Sequence, residues 1–166
     1  MSDTPEPVVP AEPVPAADAN KPANKRRANR VAAMQFLYSW ETSHPKDNVA
    51  AVAEFYSAQE QPREYYAFSE QLVFGVLEHR DEVDTVIRDC AQNWSFERIA
   101  RVDLAILRLA IHELLHRRDI PPIVSINEAI DLSKLYSTIE SKRFVNGILD
   151  RIKGRLNRPL REAAKD

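Results

Sequence analysis

"RVDLAILRLAIHELLHR", residues 101–117, decides the fold. Leu104, Leu107, Ile111 and Leu114 recur at helical spacing, with Ile106 and Ala110 beside them, which predicts a central core helix. "DIPP" stops it, because Pro121 and Pro122 cannot continue a helical ladder. "SINE" at 125–128 matches a capping box, in which Ser125 bonds the third amide and Glu128 reaches back, so the next helix should run from there through about Leu135. The last helix, from about Ser141 to Leu156, buries Phe144, Val145, Ile148, Leu149 and Ile152.

Upstream, the pattern continues. A helix from about Asn24 to Thr42 has Val31, Met34, Leu37 and Tyr38 as its inward stripe, and "TSHPKDN" ends it. A weaker helix covers Val49–Gln59. Pro62 then opens a helix striped by Tyr65, Phe68, Leu72 and Val76. After a break near His79–Asp81, a further stripe runs through Val83, Val86, Ile87, Cys90 and Trp94. No internal repeat or alternating strand pattern is present, and three glycines in 166 residues disfavour a sheet with many tight turns. The expected class is all-α, a compact bundle.

Six of the eleven prolines fall in the first 22 residues, so residues 1–23 read as a disordered Pro/Ala-rich acidic tail. Residues 24–156 form the helical domain, and 157–166 a C-terminal tail. Residues 1–20 carry four acids and no base, so the rest holds a net +2 against the whole chain's −2. Its cations cluster near Lys25–Arg30 and Lys142–Arg158. Cys90 is the only cysteine, which excludes a disulfide framework and a thiolate metal cluster. No apolar leader and no long apolar run occurs, so secretion by a signal peptide and membrane spanning are not expected; the expected compartment is the cytoplasm.

"HELLH", His112 to His116, places two histidines on one helix face with a glutamate between them, the pattern of a zinc-dependent hydrolase. The third ligand is missing, since Asp119 and Pro122 stand where an extended motif would place Gly and His. The segment reads instead as the solvated outer face of a core helix. No Gly-rich phosphate loop exists, and Cys90 reads as a small core residue. No catalytic residue, metal ligand or cofactor is assigned.

"NKRRANRVAAMQFLYSW", residues 24–40, raises a different question, because Lys25, Arg26, Arg27 and Arg30 crowd the helix start. Cations there oppose the helix dipole by about 0.3–1 kcal/mol each. Arg26 and Arg30 are also like charges at i,i+4. Free amides and arginines converging on an anion would relieve this, and four cations in six positions can track a nucleic-acid backbone. "SKRFVNGILDRIKGR", residues 141–155, offers a second polar surface of Lys142, Arg143 and Asn146, in which Asn can read a base edge or a 2′-hydroxyl. Gly147 inside this helix costs about 1 kcal/mol relative to Ala and suggests close approach by another backbone.

Taken in order and spacing, "KRRANRVAAMQFLYSWE", "RVDLAILRLAIHELL", "DIPPIVSINEAIDLSK" and "FVNGILDRI" resemble the NusB transcription antitermination family over about residues 24–156. The resemblance implies a non-enzymatic protein of about seven helices in two helical subdomains. It implies binding to boxA RNA of ribosomal RNA operons together with the ribosomal protein NusE, within a complex that lets RNA polymerase read through terminators. It assigns Arg26, Arg27 and Arg30 to RNA, as well as Lys142 and Arg143 with Glu140 just upstream, and Tyr38 and Asp103 to the NusE-facing side. Two departures stand out: Ala28 replaces a third consecutive basic residue, and His112 stands where the family often has an aromatic one. The rival readings are the zinc hydrolase and the RNA-binding arm of an RNA methyltransferase, for whose catalytic domain ten residues after 156 leave no room. A homodimer burying the same surface is left open.

Overall fold

The computed structural model describes residues 22–164. Seven α-helices follow one another: α1 Pro22–Ser43, α2 Asn48–Ser57, α3 Ala67–Glu78, α4 Arg80–Cys90, α5 Arg101–His116, α6 Pro122–Tyr136 and α7 Ile139–Lys153, and no strand occurs among the described residues. Two 3₁₀ turns, Arg63–Tyr66 and Phe96–Arg98, precede α3 and α5. The all-α expectation is met. The expected tail over 1–23 lies outside the described residues except for Pro22 and Ala23, which begin α1.

Helix α5 is the axis. It packs against α1, α3, α4, α6 and α7, and the buried side chains of these helices form one continuous apolar core. Every residue from Asp103 to Leu114 is buried, polar ones included. Those polar side chains act as pegs. The Arg108 guanidinium donates to both Asp84 oxygens of α4, at 2.8 and 3.0 Å, and to Glu41 of α1 at 2.5 Å. Glu113 accepts from Arg30 of α1 and from Ser125 of α6. Asp103 accepts from the Ser137 hydroxyl at the end of α6. Buried charge is tolerated only when paired and hydrogen-bonded, so each peg fixes where a neighbouring helix must lie.

The HELLH segment is therefore not the solvated face the sequence suggested. His112 is buried against Gly75 of α3, where a Cβ would lie 2.2 Å from the His112 Nε2. This glycine marks close packing. Gly147 does not: nothing lies within 4 Å of a Cβ built there, so the expected backbone approach is absent.

The prolines also act differently from the capping-box reading. Pro122 occupies the first turn of α6, where its missing N–H costs nothing. Ser125 is thus inside the helix and bonded to Glu113, and Glu128 reaches Arg27 rather than back to a cap. Among the described residues, the side-chain N-caps are Asp47 on α2, accepting from the Ala50 amide, and Thr138 on α7, accepting from the Ser141 amide. Trp94 lies beyond α4 in a loop and is 62% exposed, off the stripe it was assigned to. The segment after α7 is tied down: Arg158 donates to the carbonyls of Leu114, Arg118 and Ile120, and the Ile123 and Ala164 amides bond the Leu160 and Arg118 carbonyls.

Candidate nucleic-acid interface

The basic start of α1 is anchored by Asn29, which is fully buried. Its amide donates to the carbonyls of Lys25 (2.8 Å) and Tyr65 (3.1 Å), and its oxygen accepts from the Ser69 amide (2.9 Å). One side chain thereby joins α1, the 3₁₀ turn before α3 and the first turn of α3. Its consequence is the placement of two cations over aromatic faces. Lys25 Nζ sits 5.1 Å from the Tyr65 ring centre, and the Arg26 guanidinium 4.6 Å from that of Phe68. Both residues are exposed, and neither forms an ion pair among the described residues. Cation–π contact holds such side chains without neutralising them.

The other two cations of the cluster are consumed internally. Arg27 is held by Glu128 (3.0 Å) and Asp131 (2.8 Å) of α6, and the Glu128 hydrogen bond raises its already high pKa. Arg30 is 3% exposed, and its Nη2 and Nε reach the Glu113 carboxylate at 2.7 and 3.1–3.2 Å. The expectation that Arg30 meets RNA is corrected on this ground: its charge is spent on a buried carboxylate. The like-charge cost foreseen for Arg26 and Arg30 is offset within the fold.

A second basic surface lies on α7. Arg143 and Lys142 have no ion-pair partner among the described residues, and Asn146 keeps a buried Oδ1 without a hydrogen bond. Glu140 is exposed in the first turn. Arg143, Phe144, Gly147 and Arg151 line one side of an open cleft of about 440 Å³, whose other wall is Trp94. Sequence periodicity placed Trp94 on the inward stripe of α4, and the structure instead leaves its indole exposed in the loop after that helix.

On the side assigned to a protein partner, Tyr38 is 41% exposed on α1 rather than part of the inward stripe. Asp103 is buried and engaged by Ser137, so it does not itself present a surface; its carboxylate instead fixes the α6–α7 junction.

The histidines of HELLH do not assemble a metal centre. His79, His112 and His116 stack, with His79 and His116 centroids 3.7 Å apart at 14° and His112 5.5 Å from His116 at 26°. Near-parallel rings direct their nitrogen lone pairs into separate planes instead of toward one point. Glu113, the general base such an enzyme would need, is locked to Arg30 and Ser125. His116 Nε2 faces Glu82 at 2.9 Å.

Comparison with known proteins gives the family and the fold. The family model for the NusB family matches residues 27–153. A transcription antitermination protein NusB of Geobacter sulfurreducens is 46% identical over 129 residues, covering 76% of this chain and 92% of its own length. Among solved structures, T. maritima NusB is 35% identical with a TM-score of 0.69, covering 78% of this chain and 90% of that one. A structure of the antitermination factors NusB and NusE in complex with dsRNA matches at 25% identity and a TM-score of 0.70, covering 79% of this chain and 97% of its counterpart. On the family match, the relatives and the structural likeness together, this chain belongs to the NusB family.

Proposed function

We propose that the chain is a non-catalytic RNA-binding antitermination factor of the cytoplasm. It binds single-stranded boxA RNA of ribosomal RNA operons together with NusE and so enters the complex through which RNA polymerase reads past terminators. The observation that carries this is the pair Lys25 and Arg26, exposed over Tyr65 and Phe68 and in no ion pair among the described residues. Cations held in place but unneutralised suit phosphate contacts. Lys142, Arg143 and Asn146 of α7 extend the surface, with Glu140 at its edge; Arg27 contributes only what Glu128 and Asp131 leave. Tyr38 is the partner-facing residue, and Asp103 acts through Ser137.

RNA and NusE are coupled ligands in this reading, so each tightens the other by the same factor. The neighbouring NusB–NusE complex carries double-stranded RNA, which makes a duplex the informative control. Fluorescence anisotropy would compare single-stranded boxA RNA, a scrambled strand and the duplex, over a salt series, with and without NusE. Preference for single-stranded boxA, strengthened by NusE and weakened with a flatter salt slope in Lys25→Ala/Arg26→Ala, is the expected result. A wild type without preference, matched by the double variant, would overturn it.

A further inference from the structure

We propose that the cleft between Trp94 and α7 is a stacking site for one unpaired nucleobase of the bound RNA, an inference that rests on the RNA-binding reading above. Three independent features converge there. First, Trp94 presents its indole at 62% exposure, although an indole is among the most favourable groups to bury. Its ring meets Phe144 with centroids 5.3 Å apart at 59°, so the two form a V-shaped corner and leave an indole face bare. Second, Gly147 stands in the middle of α7 with nothing within 4 Å of a Cβ, yet lines the cleft. A helix-interior glycine is unfavourable, and packing does not explain this one. What it provides is a bare stretch of helix against which a flat ring can lie. Third, Arg143 and Arg151 flank the corner, and the Arg151 guanidinium is fixed by the Cys90 carbonyl at the end of α4.

Charge complementarity selects the occupant. A planar aromatic group attached to an anion matches an aromatic corner edged by guanidiniums, and a nucleotide is that combination. The volume of about 440 Å³ lies in the range of small-ligand pockets, about 300–1,000 Å³, so it has room for one base with its sugar and no more than part of the next. Stacking is tolerant of base identity, so Trp94 supplies affinity and register. Of the polar groups that line the cleft, Glu140 is the one placed to discriminate, by accepting hydrogen bonds from a base edge.

The test uses the full chain. Trp40 is buried and Trp94 exposed, so an RNA-dependent change in tryptophan emission reports on the cleft, and Trp94→Phe provides the Trp40 background. Titration with single-stranded boxA RNA should quench it, and Trp94→Phe should remove the quench while keeping affinity within about threefold, because a phenyl ring still stacks. Trp94→Ala should weaken binding by about 5- to 150-fold. Gly147→Leu fills the cleft without deleting the indole and should weaken binding comparably, with no loss of melting temperature. An abasic site moved along the RNA should cost the wild type affinity at one position only, and cost Trp94→Ala nothing there.

Unchanged affinity in both Trp94→Ala and Gly147→Leu, with binding still abolished in Lys25→Ala/Arg26→Ala, would overturn the stacking site and leave the RNA-binding reading standing. A wild type that binds no RNA would remove both. Sedimentation showing that Trp94→Ala abolishes self-association while RNA affinity is untouched would assign the cleft to a second copy of the chain and overturn the proposal.

Discussion

Two basic clusters of similar composition, the start of α1 and the outer face of α7, are treated in opposite ways by the fold. In the first, Arg30 and Arg27 are drawn onto Glu113, Glu128 and Asp131, and only Lys25 and Arg26 keep their charge available. In the second, Lys142 and Arg143 meet no carboxylate among the described residues, and Arg151 donates to a backbone carbonyl, so its charge is not cancelled. The difference teaches that a run of arginines has two jobs that sequence does not separate. A guanidinium facing a buried carboxylate organises the core; one facing an aromatic ring or open solvent remains for an anion.

The largest effect should come from breaking the internal half of that comparison. Glu113→Ala leaves Arg30 charged in the core, and removing one partner of a buried pair costs about 3–5 kcal/mol. Chemical denaturation should show this loss, whereas Arg26→Ala should melt as the wild type does. Equal stability of Glu113→Ala and wild type would sink the assignment of Arg30 to the core.

The histidine cluster behind the same pair sets a pH dependence of somewhat smaller size. Burial, then the nearby His116, His79 and Arg117, pushes His112 down to about 4 from its usual 6.5. The folded state thus holds it neutral while the unfolded chain protonates it. Its contribution is complete above about pH 6.5 and lost as pH falls toward 4, on the order of 3 kcal/mol. Denaturant midpoints measured across that window should fall, and His112→Phe should flatten the curve. A variant with the wild-type slope would assign the dependence to other groups.

Two glycines give a paired and smaller test. Gly75→Ala drives a methyl group into His112 and should destabilise by about 1–3 kcal/mol. Gly147→Ala meets open space and should stabilise by up to about 1 kcal/mol, since only the helix penalty is relieved. Melting temperatures moving in opposite directions would separate a packing glycine from one retained for the cleft; a loss in both would mean that Gly147 is packed after all.

The smallest stability change, and the most informative about ligands, belongs to single exposed cations. Arg26→Ala and Arg143→Ala should each leave melting within about 0.5 kcal/mol of wild type. Each should also reduce the slope of log affinity against log salt by about 1 for every RNA phosphate the side chain neutralises. An unchanged slope would show that the residue is only solvated.

Helix periodicity was legible because core-facing residues must recur every 3.6 positions whatever they pack against. The central place of residues 101–117, the breaks at "TSHPKDN" and "DIPP", and the buried Cys90 all follow from that local constraint. The ordered motifs likewise carried the family, since they reflect the same helices in the same order. What the chain by itself could not determine is which polar residues face one another. Arg30 and Glu113 stand 83 positions apart, Arg27 and Glu128 101 apart. A helical wheel shows each on a polar or mixed face with no means of telling solvent from a partner helix. The capping-box misreading has the same origin: "SINE" has the right spacing for a cap, but α5 and α1 were already waiting for Ser125 and Glu128. Nor does any local rule reveal that the loop carrying Trp94 folds back onto the Gly147 face of α7. Backbone periodicity is a property of neighbours along the chain, so the sequence alone determined the helices and the family. The neutralisation of charge and the opening of a cleft depend on contacts across long separations, and those only the tertiary structure decided.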